Sequence, residues 1–172
     1  MYRQILLCLC LATAACASTD AADDDSNDDV AESEMRVSDV KVFQIRRSQG
    51  FVPPAPAGTC YPWGSWTVDL VNRQLSGQGC VDAKPTTAER SLSGEEIGKL
   101  RKAFFEVKSG PRPEACPSDA PIMRLDVVRQ TREDHYIDQR SSCAASEIPV
   151  TSESLSNLYD VVSELASEPS PE

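Results

Sequence analysis

Residues 60–80 read CYPWGSWTVDLVNRQLSGQGC and place a cysteine at each end of a two-strand pattern. Trp66, Val68 and Leu70 alternate with polar residues, which is the period of a half-buried β-strand. The Asn-Arg pair that follows favours a turn, and a second strand runs on to Cys80. This stretch therefore predicts a β-hairpin with one cysteine before it and one at its end.

An amphipathic helix is predicted next, over residues 92–107, LSGEEIGKLRKAFFEV. Ser93 and Glu96 have the spacing of a capping box, and Leu92 is placed to contact Ile97 as a hydrophobic staple. Apolar residues then recur at the helical period and predict one buried stripe: Ile97, Leu100, Phe104 and Val107.

The second half of the chain follows the same order. Met123, Leu125 and Val127 alternate as a strand, and residues 135–137 form the return strand. Thr151 predicts the N-cap of a last helix. The apolar face of that helix comprises Leu155, Leu158, Tyr159, Val162, Leu165 and Ala166. Each half thus runs cysteine, strand, turn, strand, cysteine, loop and capped helix, which indicates either two ββα repeats or a chance match between amphipathic strands.

Together these elements predict an α+β fold. Residues 37–46, VSDVKVFQIR, add a β-rich segment, and the proline-rich connector at residues 51–58 ends it. We expect an antiparallel sheet of four to five strands with two helices on one face. The single domain is predicted to cover residues 37–168, and residues 169–172 to form a disordered tail.

The amino-terminal residues carry an export signal. Arg3 provides a positive charge, residues 5–12 form an apolar run, and small residues follow. The run is too short for a membrane-spanning helix. Residues 1–15 are therefore predicted to be a signal peptide that is removed during export.

The end of that signal, LATAAC at residues 11–16, resembles the lipobox of bacterial lipoproteins. In that family the cysteine after a pair of small residues is lipidated and becomes the mature amino terminus. The resemblance implies that Cys16 carries fatty acyl chains such as palmitate. It also implies delivery to the outer membrane, because Ala17 stands where members retained at the inner membrane often carry Asp. Thr13 departs from the usual Leu, so cleavage after Ala14 or Ala17 to give a secreted soluble protein is the alternative.

The chain carries 17 Lys and Arg against 27 Asp and Glu, which is a formal net charge of −10. Eight of the acidic residues lie between residues 18 and 35, where no basic residue occurs. Their mutual repulsion predicts a disordered tether over residues 16–36. From Arg36 onward 16 basic and 19 acidic residues leave a net charge of −3. Without a basic face the protein is not expected to bind nucleic acid.

Part of the acidic run matches the spacing of an EF-hand calcium loop: Asp23, Asp25, Asn27, Val30 and Glu34. Asp28 stands where that loop needs glycine, and no helix is predicted on either side. We therefore expect a linker and no defined metal site here, with weak, non-specific binding of divalent cations as the alternative. No other pattern in the chain predicts a cofactor.

Four cysteines remain in the domain after the signal peptide and Cys16 are set aside: Cys60, Cys80, Cys116 and Cys143. An even number of cysteines in an exported domain predicts two disulfides, with three connectivities open. We favour Cys60–Cys80 and Cys116–Cys143, because each pair would close one hairpin unit. The gaps between them are too wide for the short spacing of zinc ligands.

Candidate functional side chains are few. His135 is the only histidine, and Asp134 or Asp138 would be its partner in general base catalysis. No second histidine, free thiol or G-x-S-x-G motif completes a nucleophile system, so we expect a surface histidine and no catalytic residues. Tyr61 and Trp63 form a candidate binding surface, with core packing as the alternative.

These features predict an exported cell-envelope lipoprotein whose domain acts without catalysis, by binding a protein or a glycan. An alternative comes from residues 116–121, CPSDAP, which are similar to the reactive loop of subtilisin-inhibitor-type proteins. That resemblance implies an inhibitor of secreted proteases with a disulfide-braced loop near Cys116. An enzyme that uses His135 is the third hypothesis.

Overall fold

The computed structural model describes residues 39–50, 52–115 and 122–170. Within these ranges seven strands and two helices follow in chain order: β1 (Val40–Arg47), β2 (Gly64–Asp69), β3 (Gln74–Val81), β4 (Lys84–Ser91), α1 (Gly94–Phe105), β5 (Met123–Arg129), β6 (Glu133–Asp138), β7 (Ile148–Val150) and α2 (Ser152–Ser167). A short 3₁₀ turn, Gln139–Ser141, lies between β6 and β7. The fold is α+β, as predicted.

The strands form one mixed sheet in the order β4-β3-β2-β1-β5-β6-β7. All neighbours are antiparallel except β6 and β7, which are parallel. The prediction of an antiparallel sheet with four to five strands is therefore wrong in both size and type. Two strands carry almost no hydrophobic pattern: β4, KPTTAERS, buries a single apolar side chain, Ala88, and β7 has only three residues.

The first strand, β1, lies at the centre of the sheet and sets the register of both flanks. Phe43 pairs with Val68 on β2 and with Val127 on β5. Side chains at such positions point to one face, because strand residues alternate between faces. The fully buried residues of this face on the three central strands are Phe43, Ile45, Trp66, Val68, Leu125 and Val127.

Both helices cover this same face of the sheet, as predicted. The packing partners of α2 are β1, β3, β4, β5 and α1. Every residue predicted for the apolar faces of the two helices is buried, although α1 ends at Phe105 and Val107 lies beyond it. These residues and the inward strand residues form one hydrophobic cluster, and its burial is the main favourable contribution to folding.

The capping box predicted for α1 is confirmed. The backbone N–H of Glu96 donates to Ser93 Oγ at 3.2 Å, and the backbone N–H of Ser93 donates to Glu96 Oε2 at 2.6 Å. Thr151 is the N-cap residue of α2, also as predicted, but its side chain caps no helix N–H. Its hydroxyl lies 2.7 Å from Ser154 Oγ instead.

The two halves of the chain share an order of elements but not a strand topology. After β1, each half contributes three strands and one helix, so the predicted ββα unit is one strand too small. The third strands also differ, because β4 is antiparallel to β3 whereas β7 is parallel to β6.

One complete disulfide lies within the described residues, and it is the predicted Cys60–Cys80 bond. Its Cα atoms are 5.8 Å apart, and it joins positions 20 residues apart in the chain. Cys143 is also disulfide-bonded. Its predicted partner, Cys116, lies outside the described residues, so the Cys116–Cys143 pairing stays a prediction.

Several other predictions also fall outside the described residues. The signal peptide, Cys16 and the acidic segment belong to residues 1–38, and the inhibitor-like loop is residues 116–121. None of the described helices is long and apolar enough to cross a membrane.

Candidate functional site

Tyr61 and Trp63, the candidate binding surface, lie on a short segment that begins at Cys60 and leads into β2. The disulfide to Cys80 holds the start of the segment. The backbone N–H of Cys80 donates to the Trp63 carbonyl at 2.8 Å, and Gln49 Nε2 donates to the Tyr61 carbonyl at 2.9 Å. The segment is therefore fixed at its start, middle and end.

Both aromatic side chains are half-buried and line an open groove of about 370 Å³, which we call the aromatic groove. The proline-rich connector forms its other wall through Val52, Pro53, Pro54 and Ala55. Val52 is 41% exposed. The two rings are thus neither an open platform nor part of the core, but one wall of a groove whose other wall comes from the same chain.

The aromatic groove is uncharged but combines apolar and polar surface. None of the described side chains that line it is charged, and its polar groups are Gln49, Thr59, the Tyr61 hydroxyl and the Trp63 indole N–H. Contact with a partner removes the apolar part of this surface from water, and partly exposed Tyr and Trp rings are frequent anchors of protein interfaces. A strongly charged ligand would find no opposite charge in it.

His135 lies on the opposite, solvent-exposed face of the sheet, where its side chain is 54% exposed. Its Nδ1 is 2.8 Å from Oδ1 of Asp126 on β5, and Arg46 on β1 donates to the other oxygen of that carboxylate. Asp134 and Asp138, the partners considered from the sequence, are instead buried on the core side. Alternation along β6 separates them from the histidine.

The ion pairs around Asp126 change its acidity. Burial alone raises the pKa of this carboxyl, but hydrogen bonds from His135 and Arg46 outweigh burial and hold the pKa below its usual value. The Asp126 carboxylate on β5 thus bonds to Arg46 on β1 and to His135 on β6, and it links the three strands. Among the described residues no hydroxyl forms a hydrogen bond with His135.

The described ranges contain no group of three or more His, Cys, Asp and Glu side chains placed to hold a metal ion. The inhibitor-like loop at residues 116–121 is not among these ranges, so its shape is not part of the candidate site.

A second cavity, of about 360 Å³, borders the same segment through Pro62 and Cys80. Arg47 at the end of β1 and Tyr159 on α2 also line it, and we call it the Arg47 cavity. The sequence did not indicate it, because Tyr159 belongs to the apolar stripe of a helix and Arg47 directly follows a predicted strand. Only packing of α2 against the sheet brings the two together.

The chain matches no protein-family model and no curated protein.

Proposed function

We propose that this protein is an exported cell-envelope lipoprotein, anchored through Cys16, whose domain binds another protein and catalyses no reaction. The lipobox-like sequence supports the anchor and a location at the outer membrane. The aromatic groove supports the binding role.

The single observation that carries the binding role is the composition of the aromatic groove. It combines two aromatic rings with a row of exposed or half-exposed apolar residues and lacks charge. Glycan sites need several polar side chains that hydrogen-bond to sugar hydroxyls, whereas apolar and proline-containing peptide segments fit aromatic-lined grooves. We therefore favour an uncharged, extended segment of a protein as the partner.

The length of the amino-terminal segment fits an anchored module. Residues 16–36 separate the proposed anchor from the domain. A chain of 21 residues spans at most about 70 Å when fully extended. Its eight acidic residues repel one another and anionic membrane surfaces. The domain would thus reach partners away from its own bilayer.

The anchor is tested by the mass of the mature amino-terminal peptide, isolated from native membranes. A di- or triacylated Cys16 is the expected result. A free amino terminus at Ala15 or Ser18 would show ordinary cleavage and remove the anchor from the proposal.

The groove is tested by site-specific photo-crosslinking in intact cells. A benzophenone amino acid replaces Val52 in the groove or, as a control, Val71, which is 66% exposed beyond the opposite end of β2. We expect a discrete protein crosslink from position 52 that disappears with Trp63→Ala or Tyr61→Ala. Equal yields from position 71, or a crosslink that survives both alanine changes, would refute the groove as the contact surface.

A further inference from the structure

The sheet has one covered edge and one open edge among the described residues. Residues 108–110 run along the outer side of β7, where the Gly110 N–H donates to the Pro149 carbonyl at 3.0 Å and Ser109 forms a bridge with Val150. At the opposite edge, β4 pairs with β3 along all eight of its residues without a bulge. No described strand pairs with the outer side of β4. An unpaired strand of this length can accept a further strand.

The outer side of β4 presents backbone groups that have no partner in the sheet. The Leu92 N–H, directly after β4, donates to the Arg73 carbonyl at 2.8 Å and continues the ladder with β3. In an antiparallel ladder, residues bonded to the partner strand alternate with residues whose N–H and C=O point the other way. Counted back from Leu92 along the register, three residues of β4 direct both groups outward: Thr87, Glu89 and Ser91.

Glu89 determines which sequence fits beside this edge. It is the charged residue among the three outward positions, and all three side chains are exposed. They lie on the face of the sheet opposite the helices, because Ala88 and Arg90 between them are buried on the core side. Opposite charges across two paired strands are favourable, and like charges are unfavourable. An added strand is therefore favoured when Lys or Arg stands opposite Glu89.

The Arg47 cavity adds to the negative charge on this side of the domain. Three carboxylates face a single arginine among its described lining residues: Asp82, Asp160, Glu164 and Arg47. Asp82 belongs to the turn between β3 and β4, so the cavity lies close to the start of β4. With Glu89 and the exposed Lys84 included, four carboxylates stand against two cations. This excess favours a basic partner.

We infer that the open edge of β4 binds an extended, basic segment of another protein by strand addition. The segment pairs with the backbone groups of residues 87–91 and places Lys or Arg opposite Glu89. The acidic residues 18–35 of this chain would be repelled there, and two copies paired symmetrically about Glu89 would place like charges opposite each other. The edge shares no residue with the aromatic groove, so binding at this edge and the proposed function can fail separately.

A titration followed by NMR tests this binding on the full-length protein, labelled with nitrogen-15 and kept in detergent. The probe is the blocked peptide Ac-VTVKVTV-NH2, whose central lysine can stand opposite Glu89. We expect the largest amide shifts at Thr87, Glu89 and Ser91, and an affinity about two- to tenfold lower for Ac-VTVEVTV-NH2. No shift at these amides with millimolar peptide, or equal affinity for the two peptides, would overturn the inference.

Methylated peptides separate strand addition from charge attraction alone. In an antiparallel ladder with β4, the N–H of the central lysine points at Glu89, and the N–H of the preceding valine points away. Methylation of the lysine nitrogen in the backbone should abolish binding, whereas methylation of the valine nitrogen should not. Equal affinity of the two methylated peptides would show that the backbone does not pair, and would refute strand addition.

Charge variants locate the binding on β4. Glu89→Lys should reverse the preference, so that the glutamate peptide binds more tightly than the lysine peptide. Glu133→Lys makes the same change of charge at an exposed position on β6 and should keep the wild-type preference. Trp63→Ala should alter neither affinity, because Trp63 belongs to the aromatic groove. An unchanged preference in Glu89→Lys, or a reversed one in Glu133→Lys, would refute this location.

A backbone variant tests the same edge. Thr87→Pro removes one outward N–H and no hydrogen bond to β3, so it should weaken the binding of both peptides. Sedimentation of the wild type without peptide should give a monomer. A dimer that Thr87→Pro dissociates would show that a second copy occupies the edge, and would overturn the inference of a basic partner.

Discussion

Arg90 on β4 and Glu96 in the first turn of α1 form a buried ion pair, with Arg90 Nη2 2.6 Å from Glu96 Oε1. The other terminal nitrogen of Arg90 donates to the carbonyl of Leu165 near the end of α2, also at 2.6 Å. One side chain thus joins a sheet edge to the beginning of one helix and the end of the other. Burial alone raises the pKa of Glu96, but the Ser93 and Arg90 donors outweigh it and lower the pKa.

Replacing Arg90 should destabilise the domain strongly. Arg90→Leu leaves the Glu96 carboxylate and the Leu165 carbonyl buried without this donor. We expect the free energy of unfolding to fall by about 3–5 kcal/mol, the cost of breaking a buried pair. Urea denaturation followed by circular dichroism measures it.

Two further variants make that measurement decisive. The double change Arg90→Leu/Glu96→Leu should cost less than Arg90→Leu alone, because no charge is left buried. Lys99→Ala removes the exposed pair with Glu95, at 3.5 Å, and should cost no more than about 0.5 kcal/mol. If the double variant were less stable than Arg90→Leu alone, the unpaired Glu96 charge would not be the cause of the destabilisation.

Acid should destabilise the domain in part through Asp138. Burial by itself raises the pKa of this carboxyl, but hydrogen bonds from Arg140 and the Ser152 hydroxyl outweigh burial and hold the pKa below its usual value. Because the pKa is lower in the folded state, the stabilisation is complete above the unfolded pKa, near pH 4. It is lost as the pH falls through the folded pKa.

Asp138→Asn tests this dependence. We expect it to cost about 1–3 kcal/mol at pH 7, where it weakens the bonds to Arg140 and Ser152. The decline in stability between pH 5 and pH 3 should also be shallower than in the wild type. Glu89→Gln, on an exposed residue, is the control. Parallel pH profiles for the wild type and Asp138→Asn would rule out this role.

The Cys60–Cys80 disulfide should contribute about 3 kcal/mol by restricting a loop of 20 residues in the unfolded chain. The double change Cys60→Ser/Cys80→Ser removes it without touching Cys143, which a reducing agent would also affect. Thermal unfolding of the wild type and the double variant measures this loss of stability. The same variant should reduce crosslinking from position 52, because the disulfide holds the segment that carries Tyr61 and Trp63. Full crosslinking in the double variant would show that the segment keeps its place without the bond.

Two glycines should respond to alanine in opposite directions. Gly77 on β3 has a φ of +144°, and a Cβ there would overlap the Ser65 carbonyl and lie 3.0 Å from Trp66 Cα. Gly77→Ala should therefore cost about 2 kcal/mol or more. Gly98 lies inside α1 with nothing within 4 Å of an added Cβ, so Gly98→Ala should stabilise by about 0.5–1 kcal/mol. Chemical denaturation of both variants measures whether each substitution lowers or raises the free energy of unfolding.

Local features of the fold were predicted because they depend on residues close in sequence. The Ser93–Glu96 capping box needs only a spacing of three residues, and the alternation of Trp66, Val68 and Leu70 shows directly in the chain. The Cys60–Cys80 disulfide followed from a hairpin whose ends must lie near each other. Strand β4 could not be found in this way, since its polar sequence is held in the sheet by pairing with β3 rather than by a hydrophobic face.

Candidate site residues could likewise be identified from the sequence only where the evidence lies close together in the chain. Tyr61 and Trp63 were named as a candidate binding surface because aromatic rings near the start of the hairpin can act as binding anchors, and in the structure both line the aromatic groove. The partner of His135 was not predicted, because Asp126 is nine residues away in the sequence. The register of β5 and β6 brings the two side chains together.

The amino-acid sequence by itself determined the helices, their caps, the first hairpin and its disulfide, because short-range periodicity and spacing decide each of them. Only the tertiary structure decided that β1 lies at the centre of a seven-stranded sheet and that Arg90 reaches Leu165, 75 residues away. It also decided that the Arg47 guanidinium lies over the Tyr159 ring. Contacts of this kind depend on which surfaces pack together once the core closes, and no local pattern encodes that choice.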